Sequence, residues 1–107
     1  MTPIKTLIIE DEIIIAEDMR IMLESLGYAV IGTALDFDEG LEMISKETPD
    51  IVLTDISLNS DKDGIDIAKE VRANFDLPLI FITSHSDQKT LERVKEVQPN
   101  GYLVKPF

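Results

Sequence analysis

The chain has 107 residues, 44% of them hydrophobic, and a formal net charge of −11. Its length fits one domain, its apolar content supports a packed core and excludes a disordered tail, and its charge argues against direct contact with a polyanion such as DNA. It has no cysteine and one histidine, His85, which excludes disulfides and thiolate metal sites and disfavours zinc.

In chain order, short apolar runs alternate with helical periodicities. Ile4 to Ile9 reads as a buried strand. Ile15, Met19, Met22, Leu23 and Leu26 recur at helical spacing, with Gly27 as a stop. Tyr28 to Thr33 is a second strand. Asp36 or Asp38 would cap a helix carrying Leu41 and Ile44, and Pro49-Asp50 would break it. Ile51 to Thr54 is the third strand, followed by Asp55. Asn59 to Gly64 is a polar loop, and Ile65, Ala68 and Val71 continue as a helix to about Asn74. Leu79 to Thr83 is the fourth strand, Asp87 to Val97 the fourth helix and Gly101 to Val104 the fifth strand. No apolar run reaches the ~18 residues of a membrane span. The N-terminus lacks a signal-peptide pattern, so a cytoplasmic protein is expected.

Strands alternating with helices imply right-handed crossovers and a parallel sheet covered on both faces. The strands are near-continuously apolar, as two-sided burial requires. In such sheets a ligand site lies beyond the carboxyl ends of the strands. Glu10, Asp11, Asp55, Thr83 and Lys105 all fall at those ends. Acids after two strands and a lysine after a third mark a place that a cation or a phosphoryl group would make stable. The alternation would add a helix over the last strand, beyond Phe107, so residues 1–107 read as a single domain truncated at its C-terminal end.

These residues resemble the receiver domain of two-component response regulators, along essentially the whole chain. The resemblance rests on Ile8-Ile9-Glu10-Asp11-Glu12, Thr54-Asp55-Ile56-Ser57-Leu58, Asp63-Gly64, Phe81-Ile82-Thr83-Ser84 and Gly101-Tyr102-Leu103-Val104-Lys105-Pro106-Phe107. Any one of these is weak; all of them in order are specific. It implies a doubly wound, flavodoxin-like α/β fold with five parallel strands in the order 2-1-3-4-5. Asp55 would be the phosphoacceptor. Glu10, Asp11 and Asp55 would hold Mg²⁺ (or Mn²⁺), with the Ser57 backbone carbonyl as a further ligand. Thr83 and Lys105 would contact the phosphoryl group, and Thr83 and Tyr102 would form the switch. Lys105-Pro106 would be a cis peptide. The implied partner is a sensor histidine kinase or a histidine phosphotransfer protein, and phosphorylation-dependent homodimerisation stays open. The implied role is regulatory rather than enzymatic, although the domain would promote its own phosphorylation and dephosphorylation.

The sequence departs from the family pattern at two places. Glu10 stands where many members have aspartate, so its contact with a metal would run through water. The loop after Asp55 has Asn59 where a proline is common, and is one residue longer before Gly64. His85, two residues past Thr83, reads as a solvated loop residue at the rim of the site.

Three other readings compete. Asn59 to Glu70 places oxygen ligands at loop positions 1, 3, 5 and 12 with glycine at 6, a calcium-loop pattern, but a strand precedes it and Asp66 occupies a usually apolar position. A phosphatase with an aspartyl nucleophile would carry Asp-x-Asp after its first strand, where this chain has Glu10-Asp11-Glu12. A degenerate receiver would act only as a protein-binding module, yet all five expected groups are present.

Overall fold

The computed structural model describes residues 3–58, 61–83 and 88–104. Five strands and four helices alternate: β1 (Lys5–Ile9), α1 (Ile13–Ser25), β2 (Ala29–Ala34), α2 (Phe37–Glu47), β3 (Ile51–Asp55), α3 (Gly64–Asn74), β4 (Leu79–Thr83), α4 (Gln88–Val97) and β5 (Gly101–Val104). The strands pair in parallel, in the order β2-β1-β3-β4-β5. The expected doubly wound fold and strand order are therefore present.

Local chemistry sets the boundaries. Gly27 takes φ 94°, a conformation that favours glycine. The Tyr28 amide then closes on the Leu23 carbonyl at 3.0 Å, satisfying an end of α1 as a helix cap does. Tyr28 is thereby used by the cap, and β2 runs Ala29–Ala34 rather than Tyr28 to Thr33. Asp36, not Asp38, caps α2 by accepting from the Glu39 amide at 2.9 Å, while the Glu39 carboxylate takes the Leu35 amide. Asp63 and Asp66 form a reciprocal capping box that starts α3 at Gly64.

The sheet separates two apolar layers. Leu7, Ile9, Val52, Leu79 and Phe81 face α2, α3 and α4, and pack on Ile44, Ile65, Ile67, Val71 and Val94. Their immediate neighbours Ile8, Leu53 and Ile82 face α1, where Ala16, Met19 and Leu23 cover them. The period-two alternation of strand side chains makes this division. On the α1 face the expected apolar stripe is only partly buried. Met22 and Leu26 stay 40% and 68% exposed and, with Tyr28 and Leu103, rim a groove of about 230 Å³ over β3, β4 and β5. No helix among the described residues is long and apolar enough to cross a membrane.

Candidate phosphoacceptor site

The pairing register brings the strand ends together. Ile9 of β1 lies opposite Thr54 of β3, so Glu10 and Asp55 follow side by side. Asp55 lies opposite Ile82 of β4, which places Thr83 one step further along the same edge. Glu10, Asp11 and Asp55 can each bring one carboxylate oxygen within 4.8 Å of the other two. Glu10, Asp55 and Thr83 are buried, and Asp11 is partly exposed. The pocket thus opens to solvent on the Asp11 side.

Backbone contacts hold these groups. The Glu12 amide donates to Glu10 Oε2 at 3.2 Å, and the Ser57 amide to Asp55 Oδ1 at 3.3 Å. The Thr54 hydroxyl donates to the Asp55 carbonyl at 2.9 Å. The chain after β3 then folds back on the strand end. The Gly64 amide donates to the Ile56 carbonyl at 2.8 Å, and a Cβ on Gly64 would sit 2.0 Å from the Asp55 carbonyl oxygen. Only glycine fits that approach, so the Asp63-Gly64 pair is explained by backbone proximity to Asp55.

Three buried or half-buried carboxylates this close repel one another unless a cation neutralises them. A hard cation with oxygen ligands suits the donor set, and Mg²⁺ commonly takes one or two carboxylates together with waters and phosphate oxygens. The grouping therefore fits the expected ion. Tyr102 is partly buried against the α2–α4 core layer. Lys105, the Lys105-Pro106 peptide, His85 and Asn59 lie outside the described residues. Sequence reading did not single out Arg93. Its guanidinium reaches Asp63 at 2.9 and 3.3 Å from 30 residues away, and no local pattern announces such a pair.

The calcium reading of the loop loses support here. Asp63 is engaged by the α3 cap and by Arg93, and the Glu70 carboxylate accepts from Asn74. Among the described residues, the grouping of three acids able to hold a metal is Glu10, Asp11 and Asp55.

The comparisons agree with this geometry. The family model for the response regulator receiver domain matches residues 6–107. The transcriptional regulatory protein PdtaR of Mycobacterium tuberculosis is 36% identical over 105 residues, covering 98% of this chain and 51% of that protein. The phyllosphere-induced regulator PhyR of Methylorubrum extorquens is 37% identical over 103 residues, covering 94% of this chain and 38% of that protein. This chain therefore spans about half the length, or less, of these curated relatives. The signal receiver domain of a modulated diguanylate cyclase from Desulfovibrio desulfuricans superposes with a TM-score of 0.91 at 43% identity, covering 98% of this chain and 83% of that one. A matching family model over nearly the whole chain, the 2-1-3-4-5 sheet and the acid cluster at its carboxyl edge lead to one assignment: the chain belongs to the receiver domains of two-component response regulators.

Proposed function

We propose that this domain is a phosphorylation switch whose acceptor is the Asp55 carboxylate. The observation that carries the reading is the convergence of Glu10, Asp11 and Asp55 at one strand edge, with Thr83 buried on the neighbouring strand. An Asp55 carboxylate oxygen attacks the phosphorus of a phosphohistidine in line. The P–N bond breaks, and the leaving imidazole recovers a proton. Glu10, Asp11, Asp55 and the Ser57 carbonyl are the groups that would hold Mg²⁺. Bound there, the ion would neutralise charge on the transferring phosphoryl oxygens. The Thr83 hydroxyl donates to one of those oxygens and the Lys105 ammonium to another. Hydrolysis of the acyl phosphate returns Asp55 to its carboxylate form. The role is regulatory: the phosphoryl group draws Thr83 inward, Tyr102 turns into the space vacated, and α4 and β5 present a changed surface.

The donor is a sensor histidine kinase or a phosphotransfer protein. Ile13 and Ile14 open α1 directly beside the pocket and are 70% and 78% exposed. Adjacent exposed apolar side chains at the rim suit a protein contact, and they would seat the donor's helix beside Asp55. The rival reading, a module that only binds proteins, draws on the likeness to PhyR. A Bartonella quintana PhyR described as an anti-anti-sigma factor superposes at 35% identity. The intact acid cluster favours the phosphoacceptor reading.

The test is phosphoryl incorporation from acetyl phosphate with Mg²⁺. The wild-type chain is expected to incorporate the label and Asp55→Asn to lose it, while Thr83→Ala still accepts phosphoryl but no longer changes the Tyr102 environment. Equal incorporation by Asp55→Asn would refute the acceptor.

A further inference from the structure

Helix α4 is tied to the acceptor end of the sheet by a contact that the phosphotransfer chemistry does not use. Arg93 donates from Nη1 to Asp63 Oδ2 at 2.9 Å and from Nη2 to Oδ1 at 3.3 Å. The same carboxylate accepts from the Ile65 and Asp66 amides at 3.0 and 3.2 Å, so one side chain both caps α3 and holds α4. The Asp66 carboxylate in turn accepts from the Asp63 amide at 2.9 Å, which closes the cap. The next residue, Gly64, lies against the Asp55 carbonyl. The Gly64 amide donates to the carbonyl of Ile56, the residue after the acceptor, at 2.8 Å, so contacts run from α4 through Arg93, Asp63 and Gly64 to the chain beside Asp55.

The pair is well formed. Burial raises the Asp63 carboxyl, but hydrogen bonds from Arg93 and from the Asp66 and Ile65 amides outweigh it and hold the group below the ordinary carboxylate range. Arg93 is correspondingly raised, first by its hydrogen bond to Asp63. Two nearly parallel N–H···O bonds fix direction as well as distance.

We propose that Arg93 is a positioning residue: through Asp63 it holds α4 in the arrangement described here, and switching must stretch or break this pair. The inference rests on Asp55 being the phosphoacceptor. A contact made in one of two states shifts their balance by its own worth. Removing it therefore eases the switch without touching any group that contacts the phosphoryl oxygens.

The experiment measures affinity for beryllofluoride, a phosphoryl mimic, with Mg²⁺ by fluorine NMR, alongside the melting temperature. Three variants are compared with wild type: Arg93→Met, which keeps the chain length; Asp63→Ser, which keeps a capping oxygen; and the double variant. Each single variant is expected to bind the mimic roughly two- to fivefold more tightly, the worth of a partly exposed ion pair. The double variant should bind no more tightly than either single one, with melting temperatures lowered by no more than a few degrees. Unchanged or weaker affinity, or single effects that simply add, would overturn the latch. A lowered melting temperature with unchanged affinity would show a purely structural role and overturn it too. Asp55→Asn separates the two readings. If wild type does not bind the mimic, or Asp55→Asn binds it equally, the acceptor reading fails and the latch with it. If wild type alone binds and Arg93→Met matches wild type, only the latch fails.

Discussion

The α2–α4 face of the sheet and its carboxyl edge are built on opposite terms. On the face, Leu7, Ile9, Val52, Leu79 and Phe81 are fully buried among apolar neighbours, and burial of that kind is the main source of stability. At the edge, a few ångströms along the same strands, Glu10 and Asp55 are also buried, but as acids beside a third acid. Burying like charges destabilises a fold unless something pairs them. The contrast teaches that the core over-determines the positions of β1, β3 and β4, and so can hold at their ends a cluster that would not assemble on its own. An edge of this type is poised to respond to a cation or a phosphoryl group.

The largest expected effect tests the stabilising side. Leu79 is fully buried in the core layer, whereas Leu103 on the α1 face is 49% exposed. Leu79→Ala should cost about 3–5 kcal/mol and Leu103→Ala less than about 1 kcal/mol, read from urea unfolding. Similar losses at both would erase the distinction between a sealed layer and an open groove. At the edge the sign should reverse. Mg²⁺ at about 100 times its dissociation constant should add about 2.7 kcal/mol by mass action, seen as a higher melting temperature. Asp55→Asn should blunt that response, since it removes one of the three carboxylates grouped to hold the ion. A melt indifferent to Mg²⁺ would break the comparison at its functional end.

A smaller effect comes from Thr48, a β-branched residue held at φ 44° at the end of α2. Thr48→Gly should stabilise by about 0.5–1 kcal/mol in thermal melts, because glycine occupies that region without strain. The smallest is a pH effect at Asp63. Its folded carboxyl is depressed, so its contribution is fully present above the ordinary carboxylate range and is lost as pH falls through the lower folded value. Asp63→Asn should flatten that part of the acid limb of a stability–pH curve while leaving the neutral region nearly level. An unaltered acid limb would show that the Arg93 pair does not favour the charged form.

Much of this could be read from residues alone, for identifiable reasons. Parallel strands buried on both faces are continuous apolar runs, so Leu79–Thr83 and Gly101–Val104 are placed without error. Their polar ends, Glu10, Asp11, Asp55 and Thr83, stand out because the sequence changes character there. The single-residue shift of β2 was not legible, because it depends on the Tyr28 amide closing on Leu23. Helical spacing put Met22 and Leu26 on the same stripe as Met19 and Leu23, but spacing does not tell how wide a stripe the sheet covers. On this face it covers Ala16, Met19 and Leu23 and leaves the flanking pair out. The reason Gly64 must be glycine is a contact with the Asp55 carbonyl across the β3–α3 connection. The Asp63–Arg93 pair spans 30 residues. Neither leaves a periodicity that a sequence displays.

The central claim is that position 55 carries the phosphoryl group. The most direct measurement is mass spectrometry after incubation with acetyl phosphate and Mg²⁺, with the acyl phosphate trapped by borohydride reduction and the modified residue located by fragmentation. The account predicts a single modified site at Asp55. Modification at Glu10, Asp11 or any other residue, with Asp55 untouched, would contradict it.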